Sequence, residues 1–193
     1  MKLVILDRNG TINVNRDDFV KSDVEWTPLP GALEAVARLN HAGWHVVIAS
    51  NQSGLGRGLF DVASLNLMHA KMHKMLASVG GRVDAVFYCP HSPDENCNCR
   101  KPKAGLFRQI GDRYGVDLAN VPTCGDSLRD LQAGASVGCE PHLVLTGMGA
   151  ACRGVQLPPE YPAKTMVHDD LAGFVDFLLV REAKKQAELQ VAI

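Results

Sequence analysis

Leu3-Val4-Ile5-Leu6-Asp7-Arg8-Asn9-Gly10-Thr11 decides the fold: an apolar run stops at a charged pair, followed by a glycine. The run Lys2–Leu6 is predicted to be a strand with Asp7 at its carboxyl end. The same alternation repeats outward from it. Pro30-Gly31 opens a helix in which Leu33, Val36, Ala37 and Leu39 recur at helical spacing until Gly43 stops it. Trp44–Ala49 reads as a second strand, continuous and β-branched as expected when both faces are covered. Asp61 is a plausible N-cap for a helix whose Leu65, Met68, Met72 and Met75 form one apolar stripe, expected to lie in the core. Val83–Cys89 is predicted as strand three, Lys103–Tyr114 as a helix and Val121–Cys124 as strand four. A short helix over Leu128–Ala135, a strand at His142–Leu145, a weak strand at Thr165–Val167 and a tail helix over about 171–190 complete the chain. This order predicts an α/β fold in one domain, 1–193: a doubly wound, Rossmann-like parallel sheet in three layers. The tail helix is expected to pack outside the sheet and to fray at its end.

Composition narrows the function. The 193 residues carry 20 basic and 21 acidic side chains, a formal net charge of -1, with 46% hydrophobic residues. That balance argues against a nucleic-acid binder or a polybasic membrane-surface protein. No apolar run approaches the roughly 20 residues of a bilayer crossing. Met1 leads straight into the first strand, so no signal peptide is expected, and a cytoplasmic location is. With no long exposed apolar stripe, a monomer is expected.

In such sheets ligands bind beyond the carboxyl ends of the strands. Four strand ends supply complementary groups: Asp7-Arg8-Asn9-Gly10-Thr11, Ser50-Asn51-Gln52-Ser53-Gly54, Arg100-Lys101-Pro102 and Gly125-Asp126-Ser127-Leu128-Arg129-Asp130. A lone Asp7 would read as a strand-end cap, but four converging sets point to phosphoryl transfer. Asp7 and Asp126 can hold a hard cation, Mg²⁺ above all. Lys101, Ser50 and backbone N–H groups can neutralise phosphoryl oxygens, while Asp7 attacks phosphorus to give an aspartyl-phosphate.

The six cysteines separate into scattered Cys124, Cys139 and Cys152, expected to be small apolar residues, and a cluster. Cys89-x-His91 followed by Cys97-x-Cys99 offers three thiolates and one imidazole, a set that suits a closed, tetrahedral, structural Zn²⁺ site. The zinc loop, 89–99, is polar between its ligands and has no core of its own. The metal is therefore expected to staple it and so fix where Arg100 and Lys101 point.

These motifs resemble those of the haloacid dehalogenase superfamily of phosphatases, and within it the D-glycero-D-manno-heptose 1,7-bisphosphate phosphatases, relatives of histidinol-phosphatase. The resemblance rests on Asp7–Asn13, on Ser50–Gly54 with Arg57-Gly58, and on Cys89-Pro90-His91 leading to Cys97–Pro102. It implies Mg²⁺-dependent release of the C7 phosphate of a small-molecule sugar bisphosphate, in nucleotide-activated heptose and lipopolysaccharide precursor synthesis. It also implies that Lys101 stabilises the transferring phosphoryl group and that Arg100 recognises substrate. Asn51, Gln52 and Ser53 are implied to bind substrate, Asn15, Arg16, Asp17 and Asp18 to contact the sugar, and Arg57 to reach a distal phosphate. The stretch from Thr11 to Pro28 is too short for a cap domain and is expected to be a flap, leaving the site open on one side.

One position departs from the pattern. The family has an Asp two residues after the nucleophile, acting as general acid and then general base, where this sequence has Asn9. The backbone carbonyl of Asn9 can still ligate the metal, but a carboxamide cannot pass a proton, and help worth about 10²–10⁴-fold should be lost. With every other motif intact, an active-site change that leaves substrate or intermediate trapped is expected rather than a natural pseudoenzyme. Ser127 also stands where some relatives carry a Lys. A histidinol-phosphate phosphatase, or a catalytically silent zinc-stapled binding protein, are the alternative readings.

Overall fold

The computed structural model describes residues 1–191; the last two residues of the expected domain 1–193 lie outside the described residues. Six strands are present among them: β1 (Leu3–Leu6), β2 (His45–Asn51), β3 (Ala85–Cys89), β4 (Pro122–Gly125), β5 (Glu140–Val144) and β6 (Met166–His168). They form one parallel sheet in the order β3-β2-β1-β4-β5-β6, the doubly wound arrangement. The helices are α1 (Ala32–His41), α2 (Ser53–Gly56), α3 (Val62–Ser78), α4 (Gly105–Tyr114), α5 (Leu128–Ala135) and α6 (Leu171–Val191).

The three layers follow from the two-residue period of a strand. In β1, Val4 and Leu6 enter a core shared with α1, α3 and α6, while Leu3 and Ile5 enter a second core with α4 and Ala133 of α5. β1 therefore has both faces covered and is buried throughout. The Asp61 carboxylate accepts the Ser64 N–H at 2.8 Å and caps α3. Along α3 the buried stripe is Leu65, Met68, Met72 and Leu76; the predicted Met75 is only partly buried, because four residues on from Met72 faces the core better than three.

Most differences from the sequence reading lie at element ends. β2 continues past Ala49 because Ser50 and Asn51 still pair with Tyr88 and Cys89 of β3. β5 begins at Glu140, which pairs with Pro122. The single-turn α2 and two 3-10 turns, Pro93–Glu95 and Gly147–Cys152, are too short to carry a periodic signal. α6 is a layer of the fold as well as a tail: Leu171, Phe174, Val175 and Leu178 are core residues, whereas every residue from Ala183 to Gln190 is exposed. No helix among the described residues is long and apolar enough to cross a membrane.

Between β1 and α1 the chain makes a flap with no inserted domain, held by isolated bridges from Asn13 to Asn9 and to Pro28. Trp26 is fully buried, and the Lys71 ammonium of α3 donates to the Asp23 and Trp26 carbonyls at 2.7 and 2.8 Å. One side of the flap is thus fixed, and the rest faces the ends of the strands.

Candidate active site

Strand register places the two predicted carboxylates side by side. Leu6 lies opposite Cys124, and the Asp7 N–H donates to the Cys124 carbonyl at 2.8 Å, so Asp7 and Asp126 leave adjacent central strands together. Asp126 is held by the Met148 N–H at 2.8 Å. Gly10, at φ 80°, lies against this carboxylate, and any Cβ there would collide with it. A third acid, Asp130 on the first turn of α5, joins them; ligand oxygens of the three lie within 4.8 Å of one another. Burial first, and then the neighbouring carboxylates, push Asp126 up to about 8; burial likewise raises Asp7 to about 6, although Lys101 pulls the other way. Three buried carboxylates offering oxygen donors within reach of one another are a fitting seat for a hard divalent cation.

Lys101 organises this cluster. Its ammonium is 2% exposed and lies 2.6 Å from each of Asp7 Oδ1, Asp130 Oδ1 and the Ala49 carbonyl. Burial works against its charge, but Asp130 and Asp7 outweigh that and raise its pKa. Asn51 holds the same residue by its backbone, accepting the Lys101 N–H at 3.0 Å and donating to the Lys101 carbonyl at 3.1 Å. The sequence reading gave Asp130 no role. Its signal is the Ser127-x-x-Asp130 spacing of a capping box: Asp130 Oδ2 accepts from the Ser127 N–H and hydroxyl at 3.0 and 2.7 Å, leaving Oδ1 for Lys101.

A cavity of about 270 Å³ opens over these groups. Of the predicted residues, Asp7, Asn9, Asn15, Arg16, Asn51, Ser53, Arg57, Arg100, Lys101 and Asp126 line it, joined by Phe19, Ser127, Arg129 and Asp130. Ser50, Gln52, Asp17 and Asp18 lie outside this lining. Ser50 and Gln52 are buried, with the Gln52 amide donating to the Ser50 hydroxyl at 2.8 Å. Asp18 is turned to Arg16 and Lys21, at 2.9 and 2.8 Å. The Asn9 side-chain oxygen accepts from Arg8 Nε and Nη2 at 3.2 and 3.1 Å and from the Asn13 amide at 3.1 Å. Arg8 is fully buried, reaches Gln52 Oε1 at 3.3 Å and lies 3.2 Å from His69 Nε2. The carboxamide at position 9 is thus held rigidly, aimed by a buried cation that its sequence neighbour supplies.

The four predicted sulfur and nitrogen donors also converge. Cys89 Sγ lies 3.5 Å from His91 Nδ1 and from Cys97 Sγ, Cys99 Sγ lies 3.3 Å from His91 Nδ1, and Cys97 and Cys99 are 3.5 Å apart. Disulfides would bring sulfurs to about 2.05 Å. A tetrahedral metal at about 2.3 Å would separate them by about 3.8 Å, close to the observed edges. The loop is folded for this by a capping box, with the Ser92 N–H donating to Glu95 Oε2 at 2.6 Å, and by Asn96 in the left-handed region at φ 46°. Cys89 is buried, and chiefly for that reason its thiol is pushed up to about 12.

A buried Asp at the end of β1, a second strand-end Asp and a buried Lys on a parallel sheet in this order define a HAD-like phosphatase. The HAD-hydrolase-like model matches residues 98–174, and the polynucleotide kinase 3 phosphatase model matches residues 2–130. The D-glycero-beta-D-manno-heptose-1,7-bisphosphate 7-phosphatase of Bordetella bronchiseptica is 57% identical, covering 93% of this chain and 98% of its own length. That of Pseudomonas aeruginosa is 49% identical, over 92% and 97%. A crystal structure of the B. bronchiseptica D,D-heptose 1,7-bisphosphate phosphatase complexed with magnesium and phosphate superposes with a TM-score of 0.88 at 56% identity, over 94% of this chain and 99% of that one. The counterpart structure from Burkholderia thailandensis gives 0.69 at 51% identity, over 92% and 99%. The chain belongs to the D-glycero-D-manno-heptose-1,7-bisphosphate 7-phosphatase family.

Proposed function

We propose that the chain hydrolyses the C7 phosphomonoester of D-glycero-β-D-manno-heptose 1,7-bisphosphate, at a rate held down by Asn9. The observation that carries the reaction type is the triad of Asp7, Asp126 and Lys101 at adjacent strand ends; the sugar and its β anomer rest on relatives of that name at 45–57% identity. Asp7 Oδ1 is held by Lys101 at 2.6 Å, which leaves the other carboxylate oxygen, Oδ2, to attack phosphorus. The new O–P bond forms as the bond to the C7 oxygen breaks, and Lys101 with backbone N–H groups faces the charge that develops. Mg²⁺, held by Asp7, Asp126 and the Asn9 carbonyl, would neutralise phosphoryl oxygens when bound. The leaving oxygen then needs a proton, and water must lose one to attack the aspartyl-phosphate. The Asn9 amide can do neither.

The Cys89, His91, Cys97 and Cys99 donors are proposed to hold a structural Zn²⁺ that positions Arg100 and Lys101. Arg100 and Arg57 are assigned to substrate recognition, as are Asn15, Arg16, Asn51 and Ser53 from the cavity wall; Asp18 acts through Arg16 with Asp17 beside it, and Gln52 and Ser50 act from behind the cavity. A single, monomeric, cytoplasmic domain is inferred. Asn9 itself favours a second reading, a silent protein that binds its ligand without turnover.

Phosphate release by Asn9→Asp with Mg²⁺ decides between them, assayed on the heptose bisphosphate and on histidinol phosphate in parallel. A gain of about 10²–10⁴-fold on the heptose is expected. Silence on both would leave the binding reading, and a preference for histidinol phosphate would replace the substrate.

A further inference from the structure

Three guanidiniums line the Asp7 cavity from three separate elements: Arg57 at the end of α2, Arg100 just after Cys99, and Arg129 in the first turn of α5. None of the three makes an ion pair with a carboxylate among the described residues. Arg16, on the same wall, differs: Asp18 grips it at 2.9 and 3.0 Å. Arg57 rests over the Phe19 ring at 5.7 Å, which orients its plane and leaves its N–H edge free. Arg100 Nη1 is buried with no hydrogen-bond partner. Arg129 touches only the Met148 sulfur, 3.7 Å from Nη2, and a thioether is a weak acceptor.

Like charges gathered with no carboxylate paired to them are costly, and a buried guanidinium N–H left unmade is costlier still. A phosphate dianion answers both, because guanidiniums bind it through paired, charge-assisted hydrogen bonds. The carboxylate cluster with Lys101 already accounts for the phosphate that reacts, so these cations are available for another.

We propose that Arg129 is a specificity-determining residue that binds, together with Arg57 and Arg100, the phosphate of the sugar bisphosphate that is not transferred. The assignment rests on the sugar-bisphosphate reading above and deepens it. Ser127, two residues earlier, spends its hydroxyl on Asp130 and is not free for this role. Arg129 immediately precedes Asp130, whose carboxylate holds Lys101, so the same helical turn fixes the reacting end and the recognition end of the substrate.

Calorimetric titration with Mg²⁺ present, comparing heptose 1,7-bisphosphate with heptose 7-phosphate, tests this on the unaltered chain, Arg129→Gln and Arg129→Lys. Arg129→Gln is expected to weaken the bisphosphate about 10- to 100-fold and the monophosphate less than about threefold, with Arg129→Lys recovering part of the loss. Equal weakening of both ligands, or no weakening of either, would overturn the role of Arg129 and leave the substrate reading standing. An unaltered chain that does not prefer the bisphosphate would overturn both.

Discussion

Two clusters of potential ligands are built on opposite plans. Asp7, Asp126 and Asp130 project from strand ends and a helix start, are buried, and carry their own cation in Lys101. Cys89, His91, Cys97 and Cys99 sit around a loop with one 3-10 turn, three of the four half-exposed. The first cluster is held by the sheet, and a metal there would add chemistry. The second is held only by local ties, the Ser92–Glu95 cap and the Lys103 ammonium on Asn96 Oδ1 and the Cys97 carbonyl, so a metal there would add order. Oxygen donors suit Mg²⁺ in the first, and thiolates with imidazole suit Zn²⁺ in the second. Lys101 belongs to the first cluster, yet only Arg100 separates it from Cys99, so the two plans meet there.

The largest effect expected from this contrast is chemical. In an Asn9→Asp background, Asp7→Asn should remove the nucleophile and cost about 10⁴-fold or more in kcat, with the melting temperature lowered little or raised. Relief of carboxylate repulsion accounts for the second part. A variant retaining a tenth of the activity would show that Asp7 is not the group attacked.

The loop should fail in the other sense. Cys99→Ala, or a chelator strong enough to remove zinc, should lower the melting temperature and reduce kcat/KM by about 10- to 100-fold, because Arg100 and Lys101 lose their anchor. Magnesium withdrawal should abolish turnover with the zinc loop still folded. A fully active, thermally unchanged Cys99→Ala chain would remove the staple from the account.

Asp130→Asn separates position from charge. It keeps the shape of the Ser127 cap but weakens the hold on the Lys101 ammonium, and a loss of about tenfold in kcat with KM nearly constant is expected. The same variant should leave zinc content unchanged. Should KM carry the loss instead, Asp130 would be acting on substrate rather than on Lys101.

How much of this was legible in the sequence follows from the same contrast. Strand-end Asp7 and Asp126 could be found because apolar runs mark where parallel strands stop, and Cys89-x-His91 with Cys97-x-Cys99 because ligand pairs carry their own spacing. Asp130 and Arg129 had a weaker marker, the Ser127-x-x-Asp130 cap spacing: both lie inside a helix, where a charged residue ordinarily reads as solvent-facing, and only the turn from β4 into α5 brings them over the cavity. Ser50 and Gln52 illustrate the reverse. Their motif places them at a strand end, but the side chains point at one another beneath the surface. Alternation in sequence locates a residue on an element, whereas its partners depend on the crossovers between elements.

The smallest effect concerns protons, and it sets the two clusters most directly against each other. Asp126 is raised to about 8 and Asp7 to about 6, against an ordinary value of 3.8. Between the ordinary and the raised values the folded chain binds more protons than the unfolded one, so metal-free stability falls as pH rises from about 4 to about 8. Magnesium must displace those protons, so its affinity should climb over the same range, and saturating Mg²⁺ should flatten the decline. Melting curves at pH 5.5, 7 and 8, with and without Mg²⁺, on zinc-loaded protein read both effects. Metal-free stability that rises toward pH 8 would mean that the three carboxylates are not crowded in solution, and the contrast between a strained acid cluster and a relaxed thiol loop would fail at its acid end.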